Sequence, residues 1–167
     1  MRQGDTLEPV KDAQILRLVE RISDHYRTNI SNRFIRPALL QLSLDKSTWD
    51  QIESFTEKFE QFQYQGFHLD ELYHSIAAAA KFVYSVRRDI TPSLRNRLGG
   101  GTANVSDKVL REMAINNFSF NLQLFADLLY DLYVKLAEID VASSKGNRPL
   151  YQQIPELSDL GAQLIGY

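Results

Sequence analysis

Six basic residues, Arg87, Arg88, Arg95, Arg97, Lys108 and Arg111, stand against two acidic ones, Asp89 and Asp107, in one stretch of the chain. Six minus two gives this stretch a net charge of +4, while the whole chain carries −2, so the remainder sums to about −6. Gly99-Gly100-Gly101 lies inside it, just ahead of a helix start. Backbone amides, the positive end of a helix and neighbouring guanidinium groups are the ingredients of an anion or phosphate site. Arg95, Arg97, Gly99, Gly100, Gly101 and Ser106 are its candidate ligands. No Gly-Lys-Ser/Thr follows, so the spacing is not that of a P-loop. A solvated, mobile loop over residues 91–105 is the plainer reading. Nucleic acid is not favoured, because the chain is net negative and lacks a repeated basic–aromatic pattern.

The carboxylates offer two further chemistries. Glu71-Leu72-Tyr73-His74 has the Glu-x-x-His spacing of di-iron carboxylate bundles, but such a site needs a second copy and the chain has none. His74 also shares its helix face with Ala78, Lys81, Ser85 and Arg88, which describes a surface Glu–His pair. Glu57 and Glu60, with Glu53 one turn earlier, have a spacing that could hold magnesium in a helical-bundle hydrolase, with Asp127 and Asp131 supplied by a facing helix. Glu57 and Glu60 lie off the Phe55–Phe59 stripe, however, as a charged outer face does. His25 stands between Asp24 and Tyr26, and with no Gly-x-Ser-x-Gly elbow in the chain it reads as a structural histidine. The absence of cysteine excludes disulfides, thiol nucleophiles and zinc–thiolate sites. No catalytic set is complete, no metal or cofactor is indicated, and the chain is not read as an enzyme.

Helices must position these groups. Ile115, Phe118, Leu122, Phe125, Leu129, Leu132, Leu136 and Ile139 follow one another at alternating spacings of three and four, the rhythm that keeps one side of a helix on a partner. Leu110, Ala114, Leu124 and Leu128 form a second file that would widen this face. Ser106 is the expected N-cap, and the helix should run to about Ala142, roughly 55 Å. It outreaches its neighbours, so either the extended first helix or a partner chain must cover the remainder. Asn116, Asn117 and Asn121 either fix register at a seam or lie on a wet flank. A first helix from Glu8-Pro9 carries Ile15, Leu18, Val19, Ile22 and Tyr26, shifts rhythm at Ile30 and should kink before Pro37. A second starts at Ser47-Thr48-Trp49-Asp50, buries Ile52, Phe55, Phe59 and Phe62, and ends at Gly66. A third spans about Leu69 to Asp89, with Ala77–Ala80 allowing close approach, and stops at Thr91-Pro92. After a turn at Lys145–Pro149, Pro155 opens a short helix over about 155–166.

The 167 residues, 44% apolar and 24% charged, suit one helical-bundle domain over 1–167. The first twenty residues mix charged and apolar types, and no stretch reaches the 18–20 apolar residues of a membrane span, so a cytoplasmic location is expected. The predicted fold is all-α: an antiparallel four-helix bundle with a kinked first helix and a short C-terminal helix. Leu157, Leu160, Leu164 and Tyr167 make the last segment apolar enough that it must dock on its own bundle or on another protein. The expected function is a non-catalytic interaction module, adaptor or structural subunit, with another protein or a second copy as partner. An anion-binding protein using the Arg95–Gly101 loop and a magnesium-dependent hydrolase are the alternatives.

Overall fold

The computed structural model describes residues 9–31, 39–40, 44–58, 61, 66–90 and 105–164; the side chains of 89–90 and 105–115 lie outside that description. Helix α1 is Ala13–His25. It begins at Asp12 rather than at Pro9, because the Asp12 carboxylate accepts from the amides of Gln14 (2.8 Å) and Ile15 (3.2 Å). An aspartate at this position satisfies two of the four orphan amides of a helix start, which a proline cannot do. Ile15, Leu18, Val19 and Ile22 are buried along one side. The helix continues as a π turn, Tyr26–Ile30, closed by the Ser31 amide donating 2.7 Å to the Tyr26 carbonyl. This wider turn falls where the apolar rhythm shifts, and it keeps both Tyr26 and Ile30 buried. The kink expected at Pro37 lies outside the described residues.

Helix α2 is Lys46–Glu57. Its cap is Asp45, two residues ahead of the expected Ser47, and it accepts from both the amide (2.8 Å) and the hydroxyl (2.6 Å) of Thr48. These two bonds hold the Asp45 carboxyl below its ordinary value. Ile52 and Phe55 are buried as predicted, whereas Phe59 and Phe62 lie outside the described residues. The helix ends at Glu57, with Lys58 as C-cap, not at Gly66. Gly66 has a different task. It takes φ +72°, and a Cβ there would sit 2.5 Å from the Val10 carbonyl oxygen. The next residue, Phe67, accepts a hydrogen bond from the Val10 amide in an isolated bridge. Only glycine permits both the left-handed backbone and this approach.

Helix α3 is Leu69–Ser85, extended by a second π turn, Val86–Ile90. Ala77–Ala80 are all buried, so neighbouring backbones come close on more than one side. The predicted stop at Thr91-Pro92 lies outside the described residues. Helix α4, Val105–Ser144, has 40 residues and is about 60 Å long. It begins at Val105, so Ser106 belongs to its first turn and is not the N-cap. Phe118, Leu122, Phe125, Leu129, Leu132 and Leu136 are buried along the predicted stripe, and Ile139 is half-buried. Of the second file, Leu124 is exposed, Leu128 is partly buried against the core, and the side chains of Leu110 and Ala114 lie outside the described residues. Asn116 and Asn117 lie on a wet flank. Lys145 and Gly146, with φ of 53° and 87°, turn the chain back. Two 3-10 turns, Leu150–Gln153 and Pro155–Asp159, then lead into α5, Leu160–Leu164.

Helix α1 packs on α2 and α4, and α3 packs on α2, α4 and α5, which closes a ring of four helices. Pairs of side-chain ties give the directions. Tyr73 at the start of α3 reaches Asp140 near the end of α4, while Arg87 beyond the end of α3 reaches Gln123, earlier in α4. Asp45 meets Lys81 and Lys58 meets Glu71, so α2 and α3 are also antiparallel. The fold is the all-α bundle that the apolar rhythm predicts. No helix among the described residues is long and apolar enough to cross a membrane.

Candidate functional site

Asp140 is a carboxylate buried to 3% exposure near the end of α4. It accepts three hydrogen bonds: from the Tyr73 hydroxyl (2.8 Å), the Leu150 amide (2.9 Å) and the Tyr151 amide (2.8 Å). The two amides open the first 3-10 turn, so the carboxylate caps it and folds the returning chain onto the bundle. A buried charge is tolerated only where its lone pairs are filled in this way. Burial, and then the adjacent Asp140, push the Tyr73 hydroxyl far above the usual tyrosine range.

From this anchor an aromatic cluster runs outward. Tyr133 meets Tyr73 edge to face, with ring centroids 6.2 Å apart, and meets Tyr151 in the same way at 6.3 Å. Tyr130, one turn away, lies tilted against Tyr133 at 6.3 Å. Burial raises the Tyr133 hydroxyl as well, with Tyr151 adding to the effect. Tyr133 and Tyr151 form one wall of a shallow, mainly apolar hollow of about 530 Å³ on the outside of α4. Val134, Ala137, Glu138 and Val141 form the rest. Tyr130, Val134, Ala137 and Val141 follow one another at spacings of four, three and four. They are a second heptad file, on a different side of α4 from the buried one, and Val134 and Val141 are 38% and 52% exposed.

Arg87 anchors the last helix from the other end. Its Nη1 donates to the carbonyls of Gln163 and Leu164, each at 3.3 Å, and its Nη2 donates to Gln123 Oε1 at 2.5 Å. A guanidinium at a helix C-terminus fills carbonyls that have no helical partner. Arg87→Ala should cost about 1.5–3 kcal/mol, the range for hydrogen bonds to a charged group. Backbone amide exchange over 160–164 should speed up by at least tenfold. Unchanged exchange would show that α5 does not depend on this tie.

Leu157, Leu160 and Leu164 correct an expectation. They are 5%, 1% and 0% exposed, buried as part of the chain's own core, and so offer no interface. Of the two possible destinations for this segment, its own bundle is the one occupied. Tyr167 lies outside the described residues, as do Arg95, Arg97, Gly99, Gly100, Gly101 and the side chain of Ser106.

The carboxylate candidates do not gather. Glu71 and His74 are both exposed, and Glu71 faces Lys58 at 3.9 Å across a groove of mixed charge between α2 and α3. Glu57 is exposed on α2, and Glu60 is not described. Asp127 and Asp131 are exposed on α4, beside Arg21, Asp24 and His25. No cluster of three or more metal-ligating side chains forms among the described residues. His25 is structural in its bonding. Its Nε2 lies 2.7 Å from the Asn121 carbonyl oxygen and must donate, which leaves Nδ1 to accept from Asn29 at 3.1 Å. The ring stacks on Phe125.

No family model, no curated protein and no solved structure matches this chain.

Sequence reasoning missed both Asp140 and the Tyr130–Val141 file. The file's signal was there, as a second four-three-four spacing. Asp140 had none in its local spacing, because its partners come from α3 and from beyond the Lys145–Pro149 turn.

Proposed function

We propose that this chain is a non-catalytic helical interaction module, an adaptor or structural subunit, that presents the outer side of α4 to another protein. One observation carries the reading. Of seven large apolar side chains exposed among the described residues, five lie on α4: Phe120, Leu124, Tyr130, Val134 and Val141. Scattered single apolar residues mean little, but Tyr130, Val134 and Val141 share one side of the helix, and a contiguous exposed apolar face supports an interaction surface. The length of α4 supports the same view, since its 40 residues compare with 13, 12 and 17 in the other main helices. The Asp140 anchor fits as well: it stiffens the Tyr133–Tyr151 wall, and a rigid surface loses less entropy on binding.

The test is affinity capture from native cells with the tagged wild type and the Tyr130→Glu/Val134→Glu double variant. A stoichiometric partner with wild type, lost with the variant, is expected. A partner retained by the variant, or none with the wild type, contradicts the reading.

A further inference from the structure

Among the described residues Asp140 is the one buried carboxylate. The Tyr73 hydroxyl, on a side chain that is itself fully buried, donates 2.8 Å to its Oδ2, so a phenol in the core already points its proton at a base. From Tyr73 the ring contacts lead outward without a gap. Tyr133 lies at 6.2 Å, and Tyr151 and Tyr130 each lie 6.3 Å from Tyr133. Tyr130 is 36% exposed, so the run of rings opens to solvent on the outer side of α4. Centroids at these distances bring ring edges into contact, and electrons tunnel fastest between groups in contact. The chain has no cysteine, and its one tryptophan, Trp49, stands on α2 against Phe82. Along the described part of α4, tyrosine is therefore the side chain that gives up an electron most readily.

Removing an electron from a tyrosine makes its hydroxyl proton strongly acidic, so the resting place of an oxidation depends on where that proton can go. None of Tyr130, Tyr133 and Tyr151 donates its hydroxyl proton to a protein acceptor among the described residues, which leaves water. Tyr73 has Asp140, a far stronger base than water. Burial works in the same direction. Before oxidation the pair carries the buried charge of Asp140, and afterwards it carries none. The amides of Leu150 and Tyr151 oppose this in part, since they favour the charged carboxylate. We infer that Tyr130, Tyr151, Tyr133 and Tyr73 form a relay that carries a one-electron oxidation from the surface of α4 into the bundle and holds it on Tyr73. A diffusible one-electron oxidant, of the class of peroxyl radicals or oxidised metal complexes, takes an electron from Tyr130 or Tyr151 and is reduced. Tyr133 replaces that electron, and Tyr73 replaces the one lost by Tyr133. The Tyr73 O–H bond breaks as its proton bonds to Asp140 Oδ2. Tyr73 ends as a neutral phenoxyl radical and Asp140 as a neutral acid that donates back along the same line. The radical is thereby kept from the surface, where phenoxyl radicals couple between molecules. A relay of this kind does not depend on what α4 binds.

The experiment oxidises the full chain with photogenerated tris(bipyridine)ruthenium(III), which stays in solution. The tyrosyl radical is followed by transient absorption and, after rapid freezing, by electron paramagnetic resonance, with circular dichroism to check that each variant folds. The wild-type radical should outlive that of Tyr73→Phe at least tenfold. Asp140→Asn keeps an acceptor for the Tyr73 hydroxyl but cannot take its proton, so its radical should be as short-lived. Tyr133→Phe interrupts the relay with Tyr73 and Asp140 in place, and should cut the yield of long-lived radical at least threefold. Dityrosine-linked dimers should rise at least threefold in Tyr73→Phe, because the oxidation stays at the surface. Equal lifetimes in wild type and Tyr73→Phe, or dimers that do not rise, overturn the relay. So does a long-lived radical undiminished in Tyr133→Phe or in Asp140→Asn. Should the variants at Tyr73 or Asp140 fail to fold, Tyr133→Phe decides alone, since it removes only a hydroxyl that donates to no described residue.

Discussion

Asp140→Ala is expected to lower the stability of the protein by about 3–5 kcal/mol. The carboxylate leaves three donors behind, the Tyr73 hydroxyl and the amides of Leu150 and Tyr151, each at 2.8–2.9 Å in the native protein. A buried donor left without an acceptor costs about 1–3 kcal/mol, and the relief of no longer burying a charge offsets part of the sum. In a chain of this size the melting temperature should drop by roughly 10 °C. Asp140→Asn should recover part of the loss, because its Oδ1 can still accept from the Tyr73 hydroxyl and the Tyr151 amide while its Nδ2 faces the Leu150 amide donor to donor. Urea denaturation measures the effect, and a loss below about 1 kcal/mol would mean that the returning segment is held by its leucines alone.

The same anchor gives a pH signature. The Tyr73 hydroxyl is raised above its ordinary value of 10.0, first by burial and then by Asp140. A group whose folded value is raised binds its proton more tightly when folded. Its contribution is therefore fully present below about pH 10 and is lost as pH climbs beyond that. Stability should fall steeply above pH 10, and Tyr73→Phe should make that alkaline limb shallower. A limb unchanged by the substitution would show that Tyr73 does not govern it.

Phe125→Ala is the other large effect, again about 3–5 kcal/mol. Phe125 is buried on the central stripe of α4, 5.6 Å from the Tyr26 ring and stacked on His25 at 6.4 Å. Its removal opens a cavity where α1 enters its π turn, and rings fixed on both sides cannot collapse into it. Leu124→Ala, one residue away but exposed, should change stability by no more than about 0.5 kcal/mol. Equal losses at the two positions would mean that α4 is turned differently from the arrangement described.

The contrast between these two leucine-rich files shows what could be read from the sequence. The Phe118–Leu136 stripe was legible because a helix that buries one side against several partners must repeat apolar residues without a break. Leu124 was misjudged because residue type alone does not say which of two files faces inward. Helix starts moved for a related reason: Asp12 and Asp45 are stronger amide acceptors than the Pro9 and Ser47 signals, and each satisfies two donors. Asp140 looks in sequence like a polar residue that ends a heptad run. Its role depends on Leu150 and Tyr151 returning to it, a contact set by the turn at Lys145–Gly146. The leucines of α5 were recognised as apolar, but their destination depended on Arg87, 76 and 77 residues away from the carbonyls it fills.

The most direct measurement is site-specific photo-crosslinking in native cells, with a photoreactive amino acid placed singly at Val134, Val141, Ala142 and Asn117. All four positions are exposed on α4, and Val141 and Ala142 are sequence neighbours that face different ways. An adduct to one partner protein from Val134 and Val141, and none from Ala142 or Asn117, is the result predicted for a docking strip. Adducts absent from Val134 and Val141, or equally strong from Ala142, would contradict it.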